Sequence, residues 1–175
     1  NTSSAVTYKE LDSGNTGLFF DGTGGLVSTN KNYKLGLSKF TIDLDLLLSS
    51  YPTASFPSCI LSYGKSINAE GWYNLEVTST GVIRFGTAYD SNYISSNSGV
   101  IKLGVKQSIG VTRDVNKILR IFVDNVKVAE GLFNTALEGG NLTNVNQNFI
   151  LIGRDKIYHN NFNSTYGLKG FIDNL

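Results

Sequence analysis

A single cysteine, Cys59, rules out an intrachain disulfide. In the apolar run Cys59-Ile60-Leu61 it reads as a small buried side chain rather than a reactive thiol. The single histidine, His159, together with that lone cysteine, leaves too few ligands for a zinc site. No Gly-x-Ser-x-Gly elbow marks a nucleophile. Methionine is absent, and both prolines fall within the segment Tyr51 to Pro57. No apolar run approaches the ~20 residues that cross a bilayer, so direct membrane insertion is not expected. Neither an initiator Met nor a basic-then-apolar leader opens the chain, which reads as a piece of a longer protein or a processed one. Charge is sparse and balanced, 15 basic against 14 acidic residues, with no Lys/Arg block. Nucleic acid and anionic membrane surfaces are therefore not expected partners.

What the chain has is glycine, 19 in 175 residues, and abundant Ser, Thr and Asn between short apolar runs. That combination suits an all-β domain with frequent turns. The clearest signal is Lys117 to Glu130, where Leu119, Ile121 and Val123 alternate with Arg120 and Phe122. Strands are expected at Ile118 to Val123 and Val126 to Ala129, joined by Asp124-Asn125, residues that tolerate the positive φ of a tight hairpin turn. Lys39 to Leu48 predicts a long strand with Phe40, Ile42, Leu44 and Leu46 on one face and Thr41, Asp43, Asp45 and Leu47 on the other. Trp72 to Ser79 and Val82 to Tyr89 predict a second hairpin, with Tyr73, Leu75 and Val77 opposite to Trp72, Asn74 and Glu76. Gly17 to Asp21 and Leu26 to Thr29 read as a third, with a glycine-rich tip that lacks the Lys-Ser/Thr of a phosphate loop. Further strands are expected at Ala5 to Glu10, Ser58 to Tyr63, Val100 to Leu103, Val105 to Thr112, Phe149 to Gly153 and Leu168 to Asn174. Asp90 to Gly99 reads as a polar loop, and Asn134 to Glu138 as one helical turn. About a dozen such strands imply two antiparallel sheets packed face to face, in one domain over residues 1–175. Residues 1–16 form an N-terminal extension or first strand. Three Asn-x-Ser/Thr triplets, at Asn1, Asn141 and Asn163, decide nothing, since about three or four are expected by chance in such a composition.

The segments L-F-F-D-G-T-G-G-L-V (18–27), L-S-K-F-T-I-D-L-D (37–45), C-I-L-S-Y-G (59–64), G-W-Y-N-L-E-V-T-S-T-G-V-I-R-F (71–85), I-G-V-T-R-D (109–114), I-L-R-I-F-V-D-N-V-K-V-A (118–129), F-I-L-I-G (149–153) and G-L-K-G-F-I-D-N-L (167–175) follow in order. This order resembles the laminin-G-like, concanavalin A-like lectin-glucanase jelly-roll domains. Two departures stand out. Lys106-Gln107-Ser108 occupies the place of a Trp-His-His-like stretch, and Asp173 is followed by Asn174 instead of Glu, with the family's last strand either missing or contributed from outside this piece of chain. The resemblance implies a two-sheet sandwich in a secreted, cell-surface or virion protein. It also implies a structural calcium near the chain ends and binding of carbohydrate or protein. Asp21 and Asp173 stand where the family often holds that Ca²⁺ ion.

Three functional readings follow. A non-catalytic recognition module for a glycan or surface polysaccharide would use loops that mix rings with hydrogen-bonding groups. Its candidates are Trp72, Tyr89, Asp90, Asn92 and Tyr93, and the loop carrying Tyr158, His159 and Asn160. A structural or adhesion module would instead show an exposed apolar edge and pack against neighbouring domains or identical chains. A glycoside hydrolase would need Asp43, Asp45 and Glu76 in one cleft, two of them ~5 Å apart for retaining chemistry. The Glu-x-Asp-x-x-Glu pattern of glucanases is missing, so no catalytic residue is expected.

Overall fold

The computed structural model describes residues 6–12, 15–22, 27–28, 35–53, 57–63, 73–87, 92–137, 150–153 and 167–174. Thirteen strands follow one another: β1 (Val6–Asp12), β2 (Asn15–Asp21), β3 (Val27–Ser28), β4 (Phe40–Leu48), β5 (Ser58–Tyr63), β6 (Tyr73–Val77), β7 (Ile83–Thr87), β8 (Asn92–Ser95), β9 (Lys106–Arg113), β10 (Ile118–Val123), β11 (Val126–Leu132), β12 (Ile150–Ile152) and β13 (Lys169–Asp173). They form a seven-stranded sheet in the order β1-β2-β13-β4-β9-β10-β11 and a six-stranded sheet in the order β3-β12-β5-β6-β7-β8. Every strand pairing is antiparallel. The fold is an all-β, two-sheet antiparallel sandwich of the jelly-roll kind.

Period-2 alternation decides which side chains meet between the sheets. Leu44, Leu46 and Leu48 of β4, Ile109 and Val111 of β9, and Leu119, Ile121 and Val123 of β10 face inward and are buried. Tyr73, Leu75 and Val77 of β6 and Ile83 and Phe85 of β7 meet them from the other sheet. Phe40 and Phe85, 5.6 Å between ring centroids, join β4 to β7 across the core. At one end of the sandwich the guanidinium of Arg113, 1% exposed, donates to the carbonyls of Gly36, Ser38 and Thr135 and packs over Phe40. It ties the segment before β4 and the segment after β11 to the end of β9. Burial lowers its pKa from the ordinary arginine value.

The β10–β11 hairpin turns at Asp124 and Asn125 with φ of 51° and 63°, as its sequence requires. Three expectations need correction. β2 and β3 do not form a hairpin: β2 pairs with β1 and β13, whereas β3 pairs with β12 in the other sheet. Val100 to Leu103 is not a strand, and among the described residues its ladder contact is a bridge from Leu103 to Leu48. Residues 134–137 are not helical, and Leu137 instead bridges Gly36. β13 lies between β2 and β4 and pairs with both.

Candidate functional site

On β6 the side chains that alternate with Tyr73, Leu75 and Val77 point away from the core, yet Asn74 and Glu76 are 0% and 2% exposed. This outer face of the six-stranded sheet carries a polar cluster built by strand register. Glu76 lies opposite Arg84 on β7 and Cys59 on β5, and Gly86 of β7 lies opposite Asn74 and Tyr93. Gly86 sits where a Cβ would come within 2.0 Å of the Asn92 carbonyl oxygen, so only glycine lets β8 approach this closely.

Arg84 Nε and Nη2 both donate to Glu76 Oε2, at 2.9 and 2.8 Å, while Asn74 Nδ2 donates to Glu76 Oε1 at 2.9 Å. The Arg84 guanidinium lies over the Tyr93 ring, 4.2 Å from Cζ to the centroid. This cation–π contact engages the guanidinium without using its N–H groups, which stay available for hydrogen bonds. Burial pushes the Glu76 carboxyl above its ordinary pKa, and the charge and hydrogen bond of Arg84, with the Asn74 amide, pull it partway back. The arrangement suits recognition: a fixed planar cation with an aromatic ring beneath it. Nothing in it resembles a nucleophile and base poised to react.

Of the residues expected to bind a ligand, the structure describes two. Asn92 and Tyr93 belong to β8, not to a loop, and their side chains go to opposite sides. Tyr93 joins Arg84 on the outer face, and Asn92 turns to Thr135, donating from Nδ2 to Oγ1 at 2.8 Å. Trp72, Tyr89, Asp90, Tyr158, His159 and Asn160 lie outside the described residues. Sequence reasoning overlooked Arg84. The signal was available, because a hairpin centred on Thr80 places Arg84 directly across from Glu76, both outward.

The hydrolase constellation is corrected by the topology. Asp43 and Asp45 point outward from the seven-stranded sheet and Glu76 outward from the six-stranded one, so the whole core separates them. The calcium pair is not brought together either. Asp21 lies across from Lys169, four residues along β13 from Asp173, or about 13 Å away at strand spacing. Asp173 instead lies beside Asp45, and the Lys106 ammonium is 3.2 Å from Asp45 and 4.0 Å from Asp173. A cation already sits between those carboxylates, and no group of three or more acid, His or Cys side chains gathers among the described residues. This pair does not fit one Ca²⁺ ion, which needs six to eight oxygens.

No protein-family model and no curated protein sequence matches the chain. Solved structures do. The chain is similar to the CBM40 module of a Ruminococcus gnavus IT-sialidase bound to α2,3-sialyllactose, with a TM-score of 0.63 and 16% identity over 95% of this chain and 88% of that one. It is similar to a native heptameric SAP-like pentraxin from Limulus polyphemus, with a TM-score of 0.58 and 12% identity over 96% and 72%. It is also similar to the carbohydrate-binding module CBM66 from Bacillus subtilis, with a TM-score of 0.55 and 12% identity over 99% and 91%. The chain shares their β-sandwich fold. At these identities the likeness concerns the fold alone.

Proposed function

We propose that the chain is a non-catalytic glycan-binding module whose ligand face is the outer face of the six-stranded sheet, centred on Arg84 and Tyr93. The observation that carries this reading is the ordered polar cluster itself. Glu76 and Asn74, buried on an outward face, hold a part-exposed guanidinium over an aromatic ring. Sugars offer hydroxyls to such donors and C–H faces to such rings. Two of the solved structures with this fold are carbohydrate-binding modules, one of them holding a sialylated trisaccharide. The ordered laminin-G-like segments support the same lectin-like reading and a setting outside the cell, at its surface or on a virion. Trp72, Tyr89 and Asp90, neighbours of β6 and β7 in sequence, remain candidate ligand residues in this proposal. A broad glycan array tests it: selective binding, lost in Tyr93→Ala with the fold intact by circular dichroism, is the expected result. A flat array contradicts it.

One observation favours a second role alongside the first. On the edge strand β11, Val126 and Leu132 are 63% and 60% exposed. Such an edge suits packing against a neighbouring domain or an identical chain. The bulge of the β10–β11 ladder at Val128 and the charge of Lys127 limit open-ended pairing. Light scattering at micromolar concentration reads the outcome directly, as dimer or larger if the edge is used and monomer if it is not.

A further inference from the structure

Arg84 has two hydrogen-bonding edges, and Glu76 occupies one of them. Nε and Nη2 converge on Glu76 Oε2, while among the described residues no hydrogen bond engages Nη1. The side chain is 28% exposed, against 2% for Glu76, so a ligand in solvent can reach the arginine but not the acid. The Tyr93 ring occupies the space on its side of the group, 4.2 Å from Cζ. The N–H bonds of Nη1 and Nη2 lie in the guanidinium plane, so an incoming acceptor meets them edge-on, in the geometry that suits a two-oxygen anion.

We propose that this edge binds the carboxylate of an acidic sugar, in competition with Glu76 for the same guanidinium, so that the ligand is held more tightly as Glu76 takes up a proton. This rests on the glycan-binding reading above and specifies its ligand class. With Glu76 ionised, Arg84 is already neutralised and a second carboxylate nearby is disfavoured by like-charge repulsion. With Glu76 protonated, the full positive charge of Arg84 serves the ligand. The groups facing Glu76 among the described residues are Arg84 on β7, Cys59 on β5, Asn74 on its own strand and, beyond Arg84, Tyr93 on β8. Arg84 is the one cation in that set and Glu76 the one acid. Burial already favours the neutral carboxyl, and a bound anion favours it further. Between those two titrations, binding takes up a proton, so affinity rises as pH falls. The sugar carboxylate itself stays ionised above pH ~4.

The test prints sialylated, glucuronate-terminated and galacturonate-terminated glycans beside their carboxyl-reduced counterparts. The best acidic ligand is then titrated by calorimetry from pH 8 to pH 5. The expected result is binding at least about tenfold weaker after carboxyl reduction, a pair difference typical of a lost charge-assisted contact. Affinity of the acid should rise about threefold or more toward pH 5, and Glu76→Gln should flatten that rise. Because carboxyl reduction alters only the ligand, the result does not depend on any variant folding. Equal binding of acidic and reduced glycans, or a rise with pH in place of a fall, overturns this inference and leaves glycan binding standing. No binding to any printed glycan overturns the glycan reading itself.

Discussion

The two outer faces of the sandwich treat charge in opposite ways. On the seven-stranded sheet Arg120 bridges Asp114 and Glu130, Lys127 adds to Glu130, and Lys106 joins Asp45 and Asp173, all with substantial solvent contact. On the six-stranded sheet one carboxylate is buried, and its arginine is clamped between that acid and a ring. The pKa directions record the difference. Hydrogen bonds from Arg120 and from the Ile118 and Asn116 amides hold the Asp114 carboxyl below its ordinary value, and Lys127 and Arg120 do the same for Glu130. Burial pushes Glu76 the other way. A solvated face of exchangeable ion pairs adds little stability and little specificity. A buried, fixed pair costs desolvation, and its presence is weak evidence for added stability.

The contrast breaks most visibly under truncation. Glu76→Ala is expected to cost about 2–3 kcal/mol in urea unfolding, at or below the bottom of the range for a broken buried pair because Arg84 reaches solvent. Asp45→Ala, on the other face, should cost less than about 1 kcal/mol. Similar costs for the two variants would contradict the assignment of one face as buried and the other as solvated. Next in size is Gly86→Ala. It has no room against the Asn92 carbonyl, so it should displace β8 and Tyr93 and destabilise by about 1–3 kcal/mol, with a larger proportional loss of glycan binding.

Stability against pH sharpens the comparison by sign. The Glu76 folded pKa is raised, so its favourable contribution is fully present below the unfolded value of 4.5 and is lost as pH rises through the folded one. Wild type should therefore lose stability relative to Glu76→Gln as pH rises from 4 to 7. The Asp114 and Glu130 folded pKa values are lowered, so their contribution is present above the unfolded values and lost as pH falls. Wild type should gain on Glu130→Gln over the same rise. Chemical denaturation at four or five pH values measures both slopes, and two slopes of the same sign would count against the account. The smallest expected effect concerns calcium. Any thermal shift between calcium and chelator should be unchanged, within about 1 °C, in the Asp21→Asn/Asp173→Asn double variant, because these residues do not share an ion.

The fold was legible wherever two-faced alternation was strong. The β10–β11 hairpin, the long strand β4 and the β6–β7 hairpin all stand where their apolar periodicity places them. Strand β8 was not legible, because Asn92-Tyr93-Ile94-Ser95 has one inward aliphatic residue and polar neighbours. Its position is fixed by tertiary packing: Ile94 lies where a Cβ on Gly131 of β11 would come within 2.6 Å, closing the two sheet edges against each other. Glu76 was correctly read as pointing away from Leu75. It was wrongly grouped with Asp43 and Asp45, because period-2 patterning gives the face of a strand but not the sheet that the strand joins. The same gap produced the false β2–β3 hairpin. Of the site itself, Tyr93 was legible as an aromatic in a polar setting. Arg84 was not, because its meaning comes from the register that places it between Glu76 and Tyr93.

In this proposal the six-stranded outer face, and not the seven-stranded one, meets the ligand. Amide chemical-shift mapping with the best array glycan tests it most directly. The largest shifts are expected at Asn74, Glu76, Arg84 and Tyr93, with Asp43, Asp45 and Phe171, the β13 residue opposite Leu47 on the same outer face, unmoved. Shifts centred on Asp43, Asp45 and Phe171 instead would contradict it.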